Sequence, residues 1–174
     1  MKFIFLLSPL VMIVYLLWCR FKIGMTSTIS QTYKKLDVPL KALFPLTYVI
    51  YASPIMLVTA DRWFIAAGIM FMLVASNPVY WVKEGLADNL HYIGSYGAII
   101  LGFTGLIIMD YRNNDIKGIF GIGGLAVIVT LAFILFTLAL TVNFAFFRKV
   151  KHETYWIEVF AAISIPVTLF FLYN

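Results

Sequence analysis

Residues 120–147 read FGIGGLAVIVTLAFILFTLALTVNFAFF and contain no charged side chain. A helix needs about 20 apolar residues to cross the roughly 30 Å of hydrocarbon in a bilayer. Five other segments also qualify, at roughly 3–19, 42–60, 63–81, 90–109 and 155–173. Since the alternation that marks a membrane barrel is absent, the sequence predicts an all-α integral membrane protein. We expect a single domain over residues 1–174, built as a bundle of six transmembrane helices.

The overall composition supports a membrane protein. Of the 174 residues, 63% are hydrophobic and 12% are charged, and the mean hydropathy is +0.96. A soluble domain carries about a quarter charged residues. The net charge of +5 is not a nucleic-acid signal, because the basic residues lie in loops beside apolar spans. Loops of that kind determine the orientation of the protein in the membrane and contact anionic lipid headgroups.

The basic residues also predict the orientation of the bundle. Nine of the 13 Lys and Arg residues lie in loops after the first, third and fifth spans, and four lie on the opposite side. Because loops rich in Lys and Arg stay in the cytoplasm, both termini are expected outside. Trp18, Trp63, Trp81 and Trp156 fall at span ends, where the headgroup layer lies. We expect the chain in a bacterial inner membrane.

The loop after the first span is the only sizeable one. We expect residues 24–40 to form a cytoplasmic interfacial segment. In its TSTISQTYKKL sequence, the apolar residues Ile29, Tyr33 and Leu36 recur at helical spacing. This predicts a short interfacial helix capped by Thr28 or Ser30. The apolar run before this loop is too long for a signal-peptide core, and no small-residue cleavage site follows it. The first span is therefore expected to be retained.

Four polar side chains are predicted at one depth, near the cytoplasmic ends of four spans. They are Asn77, His91, Asn143 and Glu158. Polar groups inside a bilayer are costly and turn toward the bundle interior, so we expect these four to converge. The alternative is that each only hydrogen-bonds locally or reaches the interface. An unpaired Glu158 would need a partner, for which His91, Asn143 or a basic loop residue is available.

Glycines and other small residues form a stripe along the fourth span. Gly94, Ala98 and Gly102 recur every four residues, and Gly105 continues the row. Small residues at this spacing let helix backbones approach closely. His91 and Ser95 project from nearly the same stripe, so a helix that packs through it also directs His91 inward.

These placements predict a pocket at the cytoplasmic leaflet. Its polar residues are His91, Glu158, Asn77, Asn143, Asp88, Ser95 and Tyr33, and its cationic rim is Lys34, Lys35, Lys83, Lys149 and Lys151. A cationic rim over a polar floor suits a phospholipid headgroup or another amphipath. We therefore expect membrane lipids as partners. A homo-oligomer or membrane complex that uses the glycine stripe is the other partner considered.

Enzyme chemistry has weaker support in the sequence. A metal would need three or more ligands, and only Asp88, His91, His152 and Glu158 are at hand. A serine hydrolase would need Ser30 or Ser95 beside His91, but no GxSxG elbow exists. The GIFGIGG segment at 118–124 lacks the strand and the lysine of a phosphate loop. We expect no cofactor and leave a membrane-embedded, possibly metal-dependent lipid hydrolase as the alternative function.

Three short segments carry a resemblance to known proteins. ISQTY at 29–33, HYIGSYG at 91–97 and YWIEVFAAISI at 155–165 together resemble a pattern in small polytopic membrane proteins of bacteria and their phages. That resemblance implies no particular activity. Asp88 and His91 also resemble, more distantly, the Asp–His pairing of the alkaline ceramidase and adiponectin-receptor group. The last span lacks that group's two-histidine pattern, so the resemblance implies neither its zinc nor its hydrolase activity.

Overall fold

The computed structural model describes residues 2–29, 31–76, 84–113, 124–143, 145 and 152–173. All regular structure within these residues is helical. A 3₁₀ turn, Lys2–Leu6, leads into α1, Leu7–Ile23. The short α2, Gln31–Lys35, and a 3₁₀ turn, Val38–Leu40, precede α3, Leu43–Thr59. The remaining helices are α4, Arg62–Ala75; α5, Glu84–Asn113; α6, Leu125–Val142; and α7, Glu153–Leu172.

Within the described residues, five helical segments are long and apolar enough to cross a membrane. They are Lys2–Ile23, Val38–Thr59, Asn89–Arg112, Leu125–Val142 and Thr154–Leu172. This agrees with an integral membrane protein. The 14 residues of α4 rise only about 21 Å at 1.5 Å per residue, less than the hydrocarbon thickness. Residues 77–81 of the corresponding predicted span lie outside the described residues. The count of six spans and the outward termini therefore stay predictions.

Five of the long helices within the described residues form a ring. In chain order, α1, α3, α4 and α5 each pack on the next, and α7 packs on both α5 and α1 and so closes a ring. Aromatic side chains fill its centre: the ring of Phe71 lies 5.8 Å from that of Tyr48 and 5.1 Å from that of Tyr51. The buried core takes side chains from α1, α3, α4, α5 and α7, and side chains that face it are shielded from lipid.

Helix α6 lies at the edge of the bundle, against α5 and α7. Only 11% of its apolar 18-residue stretch is buried, compared with 33–44% of the corresponding stretch in each of the other four candidate spans. The most hydrophobic helix is thus the least buried one. Apolar side chains gain little by leaving lipid for another helix, so hydrophobicity alone does not place a helix in a bundle interior.

A hydroxyl from α3 compensates for a proline in α7. Pro166 lies inside α7 and has no N–H to donate to the carbonyl of Ala162, four residues earlier. The Tyr51 hydroxyl donates to that carbonyl at 2.9 Å, and Ser8 of α1 donates to the Tyr51 carbonyl at 2.7 Å. Backbone groups in lipid need partners within the protein, so these two bonds tie α1, α3 and α7 together.

Two aspartates accept hydrogen bonds from the beginnings of helices at the end of the bundle where α3 leads into α4. Ala60 ends α3 in the left-handed region with φ of 47°, and Asp61 caps α4 by accepting from the Trp63 N–H at 2.9 Å. Arg112 of α5 donates to Asp61 at 2.7 Å. Asp110 is 1% exposed and accepts from the Ala126 N–H in the first turn of α6 at 3.0 Å. These carboxylates satisfy the free N–H groups of helix beginnings.

Candidate functional site

The candidate site begins with the segment that follows α1. We call residues 24–36 the strap; Ser30 in it lies outside the described residues. Helix α1 ends at Gly24, whose φ of 77° favours glycine. Within the strap, the Gln31 N–H at the start of α2 donates to the Thr28 hydroxyl at 3.2 Å, as expected for one of the two predicted caps. Ile29 is 2% exposed, which places the middle of the strap inside the bundle.

Helix α7 holds the strap by two hydrogen bonds. The Ile29 N–H donates to Oε2 of Glu158 at 2.6 Å. The Tyr155 N–H, in the first turn of α7, donates to the Ser27 carbonyl at 3.0 Å. The partner that Glu158 needs is thus a backbone N–H. The first-turn N–H groups of a helix also lack internal partners, so each bond satisfies a group that would otherwise be unpaired.

Helix α1 holds the same part of the strap from the other side. The Tyr15 hydroxyl and the Thr32 hydroxyl are 2.7 Å apart, and Thr32 also donates to the Ile29 carbonyl at 2.6 Å. Tyr15 and Thr32 are both buried. The N–H and the carbonyl of Ile29 are therefore both bonded, and Ile29 has a fixed position next to Glu158.

A small cavity lies beside this junction, between α5, α7 and the strap. Its polar lining is Glu158, Ser95 and Tyr48, and its apolar lining is Met12, Ile29, Phe71, Ile99, Ala161 and Ala162. The volume is about 20 Å³. The structure therefore brings together two of the residues predicted for the pocket, Glu158 and Ser95, and adds Tyr48, which sequence reasoning missed.

His91 joins this site through Ser95. Its Nε2 lies 3.4 Å from the Ser95 hydroxyl, one helical turn along α5. The imidazole is partly exposed, and the Tyr92 ring stands edge-on to it at 6.1 Å. His91 thus lies at the margin of the bundle, with Ser95 between it and the cavity.

Tyr33 belongs to a neighbouring aromatic cluster. Its ring lies 5.8 Å from that of Phe44, which in turn lies 4.6 Å from that of Tyr48. The Lys41 ammonium lies 5.1 Å above the Tyr33 ring, in cation–π distance. This cluster connects the buried cavity, at Tyr48, to a cationic side chain near the end of the bundle.

The other residues predicted for the pocket either do not line this cavity or lie outside the described residues. Lys34 and Lys35 are exposed at the end of α2, and Asn143 follows the last turn of α6, half-buried. Asn77, Lys83, Lys149, Lys151 and the side chain of Asp88 lie outside the described residues. Within the described part of the chain, no three His, Cys, Asp or Glu side chains form a group that could hold a metal.

The glycine stripe of α5 packs within the chain. A Cβ on Gly94 would lie 2.9 Å from a Val74 methyl and 3.0 Å from the Met70 carbonyl of α4, and one on Gly102 would lie 2.7 Å from Ile165 of α7. Gly105 approaches Phe64 similarly, and Ala98 is fully buried. Because α4 and α7 of the same chain cover this stripe, an oligomer would need another surface.

A larger groove, which sequence reasoning did not anticipate, lies between α1 and α3. It has a volume of about 390 Å³ and an apolar lining. Its lining residues are Leu10, Val11, Val14, Tyr15, Trp18, Leu43 and Thr47. The Thr47 hydroxyl donates to the Leu43 carbonyl and the Tyr15 hydroxyl bonds Thr32, so neither polar group needs a partner from the groove.

Neither a known protein family, nor a curated protein, nor a solved structure significantly matches this chain.

Proposed function

We propose that the protein binds an anionic phospholipid, with an acyl chain in the groove between α1 and α3 and the headgroup beside the strap. The observation that carries the proposal is the groove itself, with its volume of about 390 Å³ and apolar lining. A lipid tail offers only dispersion contacts and needs no hydrogen bonds, which suits a surface whose hydroxyls are already paired. Tyr15 links this groove to the strap through Thr32.

Cationic side chains near one end of the groove support an anionic headgroup. Trp18 lines the groove, and Lys22 lies one turn further along α1, exposed. Lys41 precedes Leu43, another lining residue, by two positions and lies over the Tyr33 ring. Lys and Arg near a membrane surface each contribute about 1 kcal/mol to the attraction of anionic lipids. The cations at this end therefore favour an anionic lipid over a zwitterionic one.

The cavity beside Glu158 does not take the headgroup in this proposal. Its volume of about 20 Å³ suits about one water molecule and is far too small for a phosphate with its glycerol. The lipid site is therefore placed on the groove and the exposed cations, with Tyr33 and Lys41 rather than Glu158 at its polar end.

Native mass spectrometry of the detergent-purified protein tests the proposal. The wild-type chain is expected to retain an anionic phospholipid in preference to a zwitterionic one. Val14→Trp should abolish retention by filling the groove, whereas Ile13→Trp should not, because Ile13 is on the same helix, is 38% exposed and does not line the groove. Equal retention by the two variants, or equal retention of both lipid classes, would contradict the proposal.

The contact between His91 and Ser95 favours a second candidate, a membrane-embedded hydrolase. A serine nucleophile needs a base within hydrogen-bond reach, and the 3.4 Å separation is typical of a relaxed pair without substrate. In this alternative the Ser95 oxygen attacks the carbonyl carbon of a lipid ester while His91 accepts the serine proton. His91 then gives that proton to the leaving alcohol as its C–O bond breaks, and water hydrolyses the acyl-enzyme. A fluorophosphonate probe that labels wild-type protein but not Ser95→Ala would support this function. Absence of labelling would reject it.

A further inference from the structure

We propose that a single water molecule occupies the cavity between α5, α7 and the strap and hydrogen-bonds both Glu158 and Ser95. This inference is independent of lipid binding in the groove. It concerns the polar interior of the bundle, where His91 and Glu158 were expected to converge. The water would join them without any direct contact.

The size of the cavity selects the ligand. A buried water needs about 10–15 Å³ of such volume and two to four polar partners. The cavity offers about 20 Å³ and three polar lining residues, Glu158, Ser95 and Tyr48. A hydrated ion or an organic group exceeds this volume. Apolar side chains form the rest of the lining, so the water would be held at the carboxylate side.

The chemistry of the lining also favours water. The Ile29 N–H donates to Oε2 of Glu158, and among the described residues no donor contacts the other oxygen, Oε1. Ser95 is a hydroxyl that can donate or accept, and its contact with His91 is long, at 3.4 Å. A water can donate to Oε1 and to the Ser95 oxygen at the same time. It thereby satisfies a buried carboxylate oxygen that is costly to leave unpaired.

The bridging water extends the hydrogen-bonded chain across the bundle. The chain would run from Tyr15 through Thr32 and Ile29 to Glu158, and through the water to Ser95 and His91. It joins side chains of α1, α5 and α7 with the strap, all at the same end of the bundle.

A crystal structure of the full chain in a lipid phase, at a resolution that shows buried waters, tests the proposal directly. We expect a water peak within hydrogen-bond distance, about 3 Å, of both Glu158 and Ser95. Hydrocarbon or side-chain atoms in the cavity would overturn the proposal. So would an empty cavity in a map that shows other buried waters.

Thermal unfolding in detergent gives a second, independent test. Ser95→Ala removes one partner of the water and is expected to lower the melting temperature by roughly 2–4 °C. The matched control is Ser53→Ala, whose hydroxyl donates to the Val49 carbonyl of its own helix at 2.6 Å and does not line this cavity. Ser95→Ala should also have a smaller effect in a Glu158→Leu background, since the bridge is already lost there. Equal shifts for the two serines, or additive shifts in the double variant, would overturn the proposal.

Discussion

Replacement of Glu158 by leucine is expected to weaken the attachment of the strap to α7. The wild-type side chain accepts from the Ile29 N–H at 2.6 Å, and Ile29 is 2% exposed. Removal of the acceptor leaves this buried N–H unpaired, which costs about 1–3 kcal/mol. Leucine retains similar volume but no acceptor. We therefore expect a loss of about 2 kcal/mol in the free energy that keeps the strap closed.

Limited proteolysis measures this local opening. A change of about 2 kcal/mol raises the population of the open strap roughly 30-fold, since each 1.4 kcal/mol is a factor of ten. Trypsin cleaves after Lys34 and Lys35, which are exposed at the end of α2. When opening is fast relative to cleavage, the cleavage rate follows the open population. Glu158→Leu should therefore be cut about 30-fold faster than wild type.

Two matched variants make the result interpretable. Glu158→Gln keeps an oxygen that can accept from Ile29 and should increase cleavage much less than Glu158→Leu. Asp37→Asn removes an exposed charge next to the strap and should leave the rate unchanged. If Glu158→Leu is cut at the wild-type rate, the bond to Ile29 does not hold the strap. If the glutamine and leucine variants behave alike, the hydrogen bond is not the cause.

Three further variants test the packing of the bundle. Tyr51→Phe leaves a carbonyl of α7 unpaired beside Pro166 and should lower the free energy of unfolding by about 1–2 kcal/mol, measured by detergent titration. The control Tyr96→Phe alters a ring that is 55% exposed and should leave the free energy of unfolding unchanged. Gly94→Leu places side-chain atoms against α4 and should lower the free energy of unfolding by about 1–3 kcal/mol. An unchanged midpoint of the unfolding transition would show that α4 and α5 do not approach this closely. Arg112→Ala removes only a partly exposed ion pair and should cost less than about 1 kcal/mol.

The sequence predicted the helices better than the site. The predicted spans at 3–19, 42–60, 90–109 and 155–173 overlap with α1, α3, α5 and α7, because the length of an apolar run is read directly from the residues. Their ends differ more, since α1 continues to Ile23 and α5 runs from Glu84 to Asn113. The exposed position of α6 could not be predicted, since a side chain that faces lipid and one that faces another helix have the same composition. Residues 120–123, 144, 146 and 147 of the fifth predicted span lie outside the described residues.

The partners of the polar residues were the least predictable part. Burial of a carboxylate in the last span could be inferred from the cost of exposing Glu158 to lipid. Its partner is a backbone N–H, that of Ile29, and a backbone group leaves no signature in the sequence. Tyr48 also gave no signal, because an aromatic residue in an apolar span is common whether or not it lines a cavity. The groove between α1 and α3 depends on the packing of two helices and is not encoded in either alone.

Photo-crosslinking from Val14 tests the central claim, that the groove binds an anionic phospholipid, most directly. A photoreactive residue is placed at Val14 in one protein and at Ile13 in another, in vesicles that mix anionic and zwitterionic lipids. Val14 is predicted to capture anionic lipid well above its share of the bilayer, with adduct formation that saturates as the anionic fraction rises. Ile13 should capture lipids in proportion to their abundance. If both positions give adducts in the ratio of anionic to zwitterionic lipid in the vesicles, the groove is ordinary lipid-facing surface and does not select anionic phospholipid.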